Sequence, residues 1–406
     1  MPLARFLSFD DFQAAPWGAL AAVLRVPLTA REYLAERLPP LHLLLTGLEP
    51  EQSRTLRRLR ESAEVPGVEL YPQLVLGDRD RAPGTALLSG RLEQLDRLAR
   101  ALAPDELGRC LTRALGERPR DARPRWKVGA TLLPARTAVM GVVNVTPDSC
   151  SDGGRVLDPA AAIAHGLQLA AEGADLLDIG GESTRPGGGV YGAGMSEVSA
   201  AEEIARVVPV LAGLSRQCPL PLSVDTRKAE VARAALGAGA VVVNDISGLT
   251  HDPGLARVAA QGGASLCLMH SKGSLGNMQV QPQYEDLLGE VAVFLAAGVS
   301  RAREAGVEPE RICVDPGLGF GKTVEHNLAL LQRLPALAAL GYPVLVGASR
   351  KSFLGKLTGN PLPSERLQAS VAAAVAAAMR GAAVVRAHDV RATVQALRVV
   401  DALLGS

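Results

Sequence analysis

The sequence has little that would place the protein in a specialised setting. Its five cysteines, Cys110, Cys150, Cys218, Cys267 and Cys313, are odd in number and form no CxxC pair. A disulfide framework or a structural zinc site is therefore not expected. No apolar run approaches the ~18–20 residues needed to cross a bilayer. Asp10 and Asp11 precede any hydrophobic stretch, so the start does not read as a secretory signal. These absences predict a reducing cytoplasm. An excess of one charge is missing as well. Against 42 acidic residues stand 43 basic ones, and a net charge of +1 argues against nucleic acid or an anionic membrane as the governing partner. Lysine is scarce: among the 43 basic residues only Lys127, Lys228, Lys272, Lys322, Lys351 and Lys356 are lysines. With 42 glycines and 27 prolines in 406 residues, the chain stays below the roughly 25–30% that marks low complexity.

What is present is apolar and periodic. Hydrophobic residues make up 48% of the chain, enough for more than one core, and the length suggests two domains. From about residue 138 one unit recurs every ~35 residues: an apolar run, a polar residue, a helical stretch and a turn glycine. The runs are 138–143, 175–179, 220–224, 241–243, 265–269, 311–314, 344–346 and 382–385. Gly173, Gly239, Gly262, Gly306, Gly341 and Gly381 are candidates for left-handed helix ends. Runs that are apolar throughout, rather than alternating, suggest strands buried on both faces of a parallel sheet. The fold expected is α/β, a (β/α)8 TIM barrel preceded by a small N-terminal α/β domain. An open doubly wound sheet is the structural alternative. The expected division is a small α/β domain over 1–115, a linker over 116–125 containing Pro119 and Pro124, and the barrel over 126–406. Residues 126–135 are expected to form a hairpin closing the barrel floor. The arginine stripe near 51–64 reads as a solvated helix face.

In such a barrel the active site lies at the C-terminal ends of the strands. The polar residues there are, in order, Asn144; Asp178, Glu182 and Arg185; Asp225; Asn244 and Asp245; His270; Asp315; Ser349 and Lys351; Arg386 and His388. In a chain this poor in lysine, Lys351 at a strand end points to a need for a compact ammonium. For Lys322 a structural salt bridge is the competing explanation. The stretch Asp315-Pro-Gly-Leu-Gly-Phe-Gly-Lys-Thr323 imitates a phosphate loop but fails both known patterns. Pro316 stands where a Walker A loop needs glycine, and Gly317, Gly319 and Gly321 lack the dinucleotide spacing. Buried carboxylates beside an amide and a lysine suit a flat heterocycle with donor edges and a carbonyl. Arg185, Arg386 and His388 form a cationic zone fit for phosphates. Asn144 is a candidate ligand for a hydrated Mg2+ bridging phosphate oxygens, and Ser349–Ser352 is expected to open a helix.

These segments resemble one family. Asn144-Val-Thr-Pro-Asp-Ser-Cys-Ser-Asp-Gly-Gly154, Asp178-Ile-Gly-Gly-Glu-Ser-Thr-Arg-Pro-Gly187, Ser223-Val-Asp-Thr226, Asn244-Asp245, Met269-His270, Asp315 to Lys322, Ser349-Arg-Lys-Ser-Phe353 and Arg386-Ala-His-Asp-Val390 look like dihydropteroate synthase. The resemblance implies a transferase of folate biosynthesis. It would condense 6-hydroxymethyl-7,8-dihydropterin diphosphate with 4-aminobenzoate, giving 7,8-dihydropteroate and diphosphate. It further implies a catalytic set of Asp225, Lys351, Arg386 and His388, and a pterin site of Asp225, Asn244, Met269, Asp315 and Lys351. The diphosphate site would be Asn144, Arg185, Arg386 and His388, with Mg2+ on Asn144. The aminobenzoate pocket would use Thr184, Pro186, Phe320, Lys351 and Ser352, and the assembly would be a homodimer, with helix 370–379 as a candidate surface. A pterin-binding methyltransferase and a non-catalytic pterin-binding paralogue are the alternatives. Two departures from the family pattern stand out: Cys150 replaces an aromatic in the first loop, and Ser271-Lys272 follows Met269-His270. The first 115 residues lie outside the resemblance and carry no chemical motif.

Overall fold

The computed structural model describes residues 41–48, 50–61, 69–72, 84–90, 92–102, 105, 108, 111, 124–145, 158–182, 198–273 and 282–404. The chain divides into two compact units, Met1–Ala122 and Arg123–Ser406. The first holds strands β1 (Leu41–Leu48), β2 (Glu69–Pro72) and β3 (Gly84–Gly90) in an antiparallel sheet of order β1-β3-β2. Two helices accompany it, α1 (Pro50–Glu61) and α2 (Leu92–Ala101). Leu56, Leu95, Leu98 and Ala99 are buried, whereas Arg54 and Arg58 of α1 are exposed, as a solvated arginine stripe requires.

The second unit opens with a two-stranded hairpin, β4 (Lys127–Val128) and β5 (Thr131–Leu132). Eight strands follow: β6 (Ala138–Asn144), β7 (Leu176–Gly180), β8 (Leu222–Asp225), β9 (Val242–Asp245), β10 (Ser265–Met269), β11 (Ile312–Asp315), β12 (Leu345–Val346) and β13 (Val384–Ala387). All neighbours pair in parallel in the order β11-β10-β9-β8-β7-β6-β13-β12, and a parallel bridge from Val314 to Val344 joins the two ends. The sheet closes on itself. Helices alternate with the strands: α3 (Pro159–Ala171), α4 (Ala200–Gln217), α5 (Ala229–Gly237), α6 (Leu255–Gln261), α7 (Leu287–Glu304), α8 (Val324–Gln332), α9 (Leu334–Leu337), α10 (Ser352–Thr358), α11 (Leu367–Met379) and α12 (Val390–Leu404). The fold is a (β/α)8 TIM barrel, and the open-sheet alternative falls with the closure.

Two local expectations change. Seven of the eight strands begin or end one or two residues later than their apolar runs, and Asn144, Asp225, Asn244, Asp245, Asp315 and Arg386 lie inside the ladder. The terminal polar residues still exchange backbone pairing, as in Gly180 with Asp225 and Asp225 with Asn244. The second change concerns a helix end. Gly262 has an ordinary φ of −79°, and the left-handed residue is Gly263 at +60°. Helix α6 uses one more residue to close its last turn, because Gly262 N–H still bonds back to Val258.

The hairpin plugs the bottom of the barrel. Trp126, 1% exposed, packs with Val128 and Leu133 against Met140, Leu176, Val242, Cys267, Cys313 and Leu345. Its indole N–H donates to the Arg311 carbonyl at 2.9 Å, which satisfies the polar end of a side chain otherwise in an apolar floor. Ser265 Oγ donates to the Lys127 carbonyl at 2.6 Å, and Arg311 reaches the Gly129 carbonyl at 2.9 Å.

Candidate active site

The chemistry gathers at the opposite end of the strands. Asp178 on β7 is fully buried. Its Oδ2 accepts from Arg386 Nε at 2.6 Å and from Asn244 Nδ2 at 3.0 Å. Arg386 also donates through Nη2 to Asp225 Oδ2 at 2.9 Å. One guanidinium therefore spans two carboxylates on neighbouring strands, β7 and β8. Burial pushes the Asp225 carboxyl up to about 7; Arg386 opposes the shift, while Asp178 adds to it. A Cβ added at Gly180 would lie 3.6 Å from Asp225 Cβ and 3.9 Å from Asn144 Oδ1, so Asn144 lines the same space.

On the far side sit Asp315, Lys351 and Phe320. Asp315 Oδ1 accepts from the Gly317 N–H at 2.7 Å, the first turn of the glycine loop. Burial raises its pKa, and Lys351 is the largest influence pulling it back. Lys351 Nζ donates to the Leu318 carbonyl and lies 4.6 Å above the Phe320 ring. Burial lowers this ammonium to about 8, against the pull of Asp315. The two sides belong to one cavity: a Cβ at Gly347 would be 3.8 Å from Lys351 Nζ and 3.7 Å from Arg386 Cβ. Phe320 packs with Met269 and Ile246 in a small apolar cluster at this mouth.

The glycine loop is tied from behind. Lys322, buried, sits 2.8 Å from His270 Nδ1 and donates to the Phe320 carbonyl at 3.0 Å and the His270 carbonyl at 3.4 Å. Among the described residues no carboxylate pairs with it, so a structural salt bridge does not account for this lysine. Burial, and then Lys322, lower the His270 pKa well below its usual range, and burial likewise lowers that of Lys322, so the pair resists carrying two positive charges. Gly317 has φ +68°, and a Cβ there would meet the His270 carbonyl oxygen at 1.9 Å. Only glycine fits so close an approach.

Other candidates divide. His388 is held by Ser349, whose Oγ accepts from the His388 N–H at 3.1 Å and lies 3.1 Å from Nδ1. Ser352 is exposed at the first position of α10, with Lys351 as N-cap. Glu182 is drawn away from the cavity: Arg227 and Lys228 lie 3.4 and 3.3 Å from its carboxylate. Lys228 also pairs with buried Glu203 at 2.6 Å. Asp245 serves its own loop, accepting from Ser247 N–H, Ser247 Oγ and Leu249 N–H. Thr184, Arg185, Pro186 and Cys150 lie outside the described residues. The Lys272 departure has a local role: Nζ reaches Gln283 O at 2.6 Å and Glu290 at 2.7 Å, and lies 4.2 Å over the Tyr284 ring.

One positioning pair is not evident from the strand-end reading. Arg350 grips Asp389 through two bonds, Nε to Oδ2 at 3.0 Å and Nη2 to Oδ1 at 2.5 Å. It stands between Ser349 and Lys351, and Asp389 follows His388. Its φ of +59° is costly for a side-chain-bearing residue. The signal was available, since both residues sit inside the segments that carry the resemblance.

Comparison with known proteins agrees with this geometry. A family model described as "Pterin binding enzyme" matches residues 140–388. The chain is 47% identical over 282 residues to dihydropteroate synthase of Synechocystis, covering 69% of this chain and 95% of the relative. It is 44% identical over 278 residues to dihydropteroate synthase of Escherichia coli, covering 68% and 95%. Among solved structures, Xanthomonas albilineans dihydropteroate synthase with 4-aminobenzoic acid aligns with a TM-score of 0.64 at 48% identity, over 70% of this chain and 100% of that one. The same enzyme in complex with 7,8-dihydropteroate aligns at 0.62 and 46%, over 70% and 100%. Built on a closed barrel whose mouth joins Asp225, Asn244, Asp315, Lys351 and Arg386, this chain belongs to the dihydropteroate synthase family of pterin-binding enzymes.

Proposed function

We propose that the barrel condenses 6-hydroxymethyl-7,8-dihydropterin diphosphate with 4-aminobenzoate, forming 7,8-dihydropteroate and diphosphate. The observation that carries this reading is a single cavity with an acid–amide–lysine side and a guanidinium side: Arg386 and Lys351 both border Gly347. In this reading Asp315 and Asp225 accept from the ring N–H groups of the pterin. Asn244 adds an amide contact, Lys351 donates to the ring carbonyl or ring nitrogen, and Met269 packs against the face. Charge-assisted bonds of this kind contribute about 1.5–3 kcal/mol each.

The difficult step is rupture of the C–O bond, whose electron pair leaves with diphosphate. Arg386 and His388, with Arg185, meet the growing negative charge. Phe320, Ser352 and Lys351, with Thr184 and Pro186, hold aminobenzoate so that its neutral amine reaches the methylene. The amine forms the new C–N bond and then releases its proton. No strong base is required, and the neutral His270, bound to Lys322, is not cast as one.

Mg2+ belongs to the same reading. Among the described residues no three His, Cys, Asp or Glu side chains assemble into a metal cage. A single amide oxygen, from Asn144 beside the cavity, suits a cation that keeps waters and takes its other ligands from substrate phosphates. Such an ion would supply charge neutralisation on the diphosphate. A cytoplasmic homodimer completes the proposal. Among the described residues no helix is long and apolar enough to cross a membrane. Met379 on α11 and Val399 and Leu403 on α12 are large apolar side chains left exposed, at 56%, 62% and 74%.

A coupled diphosphate-release assay with both substrates and Mg2+ tests the function. Release that depends on aminobenzoate supports it, and binding of the pterin ester without release would overturn it in favour of a non-catalytic role. Light scattering tests the dimer.

A further inference from the structure

In the sequence Asp178 is one polar strand end among many. The structure makes it the hub of the cavity. Its neighbours in the sheet are β6 and β8, yet its carboxylate bonds to Asn244 on β9 and Arg386 on β13, each two strands away. Such contacts are possible only across the inside of the barrel. The residue is 0% exposed, and its Oδ1 has no hydrogen-bond partner among the described residues. A buried carboxylate with an unused acceptor is costly unless the site employs its charge.

We propose that Asp178 is a positioning residue for the condensation: its buried carboxylate orients Asn244 toward the pterin and Arg386 toward the diphosphate, and keeps negative charge beside the methylene that becomes electron-poor. The inference rests on the functional reading above. Its first part is hydrogen-bond arithmetic. An ionised carboxylate only accepts, so Asn244 must present its NH2 to Asp178, and its amide oxygen is the group left to accept from a ligand. Likewise Nε and Nη2 of Arg386 are committed to Asp178 and Asp225, so Nη1 is the nitrogen aimed elsewhere. Its second part is charge. Asp178 and Asp225 share one guanidinium. With Arg386 held by both carboxylates and Nη1 turned to the departing diphosphate, Asp178 and Asp225 together carry one more negative charge than the guanidinium neutralises, and that excess faces the ring that becomes positive. The C–O electrons leave with diphosphate, and the amine lone pair fills the vacancy.

The test uses the full chain. Asp178→Asn keeps the shape but removes the charge and the acceptor-only character. We expect its kcat to fall by about 10²-fold, the scale of losing one electrostatic contact to a transition state, with the KM for aminobenzoate unchanged within about threefold. Inorganic diphosphate with Mg2+, titrated calorimetrically, should bind more weakly to the variant. A cycle with Asn244→Ala should be strongly non-additive, because Asp178 acts partly through Asn244. Wild-type kcat in Asp178→Asn, or an additive cycle, would overturn the proposal. If Asp178→Asn melts far below the wild type, Asp178→Ser, which retains a hydroxyl for Arg386, is put through the same measurements with the same criteria. A wild-type protein that releases no diphosphate would instead sink the functional reading, so the two failures are distinguishable.

Discussion

The two ends of the barrel are built from the same eight strands and obey opposite rules. At the floor, Trp126, Met140, Leu176, Cys267, Cys313 and Leu345 fill the interior with apolar bulk, and the Trp126 indole N–H finds a backbone carbonyl. At the mouth, Asp178, Asp225, Asp315, Lys351 and Arg386 crowd into the interior, and the apolar cluster shrinks to Ile246, Met269 and Phe320. Burial at the floor is a gain of about 25 cal/mol per Å2 of apolar surface. Burial at the mouth is a cost, offset by pairing and converted into shifted pKa values and oriented donors. Stability resides at one end and reactivity at the other.

The largest expected break of that contrast is Lys351→Ala. Asp315 then stays buried without its main cationic influence, and kcat/KM for the pterin diphosphate should drop by roughly 10²–10³-fold, measured by diphosphate release; an activity within threefold of wild type would refute the proposed clamp. Next comes the floor. Trp126→Ala should cost about 3–5 kcal/mol in urea-induced unfolding while the folded fraction keeps its kcat/KM. A large catalytic loss with unchanged stability would mean that the plug is part of the site.

A pH profile sharpens the comparison without mutation. Asp225, raised to about 7, must be ionised to accept, so kcat/KM should fall as the pH drops through that value. Lys351, lowered to about 8, must be protonated to donate, so kcat/KM should fall again as the pH rises through it. The floor has no matching transition: the Cys267 thiol is raised by Cys313 and by burial and stays protonated. A flat profile between pH 6 and 9 (roughly one unit beyond each value) would contradict these assignments. The smallest effect is expected for Arg350→Lys. A single ammonium cannot grip both oxygens of Asp389, and losing the fork should lower kcat several-fold, about 1 kcal/mol, with little change in melting temperature. A loss of stability larger than the loss of rate would make Arg350 a fold residue rather than a positioning one.

Much of the site is legible in the sequence, because a barrel puts function at strand ends and each end is marked by the polar residue that stops an apolar run. Asp225, Asn244, Asp315, Lys351 and Arg386 were all visible in that way. Glu182 and Asp245 met the same criterion and yet serve salt bridges and a loop. A local pattern reports that a residue is polar and terminal, not whom it faces. The one-residue misplacement at Gly262 has a similar origin, since two adjacent glycines offer either one as the left-handed residue and the helix geometry chooses.

By itself, then, the order of residues determined the eightfold repeat, the parallel buried strands, the plug beneath them and the family to which the barrel belongs. Those properties are periodic or contiguous, and hydrophobicity, turn chemistry and unbroken motifs encode them within a few tens of residues. Only the closed barrel decided which polar ends became partners. Arg386 meets Asp178 across 208 residues and Asp225 across 161, while Asn244 meets Asp178 across 66. No neighbouring sequence specifies such distances. They follow from sheet closure, which brings the strands around a common interior where unpaired charge is too costly to leave alone.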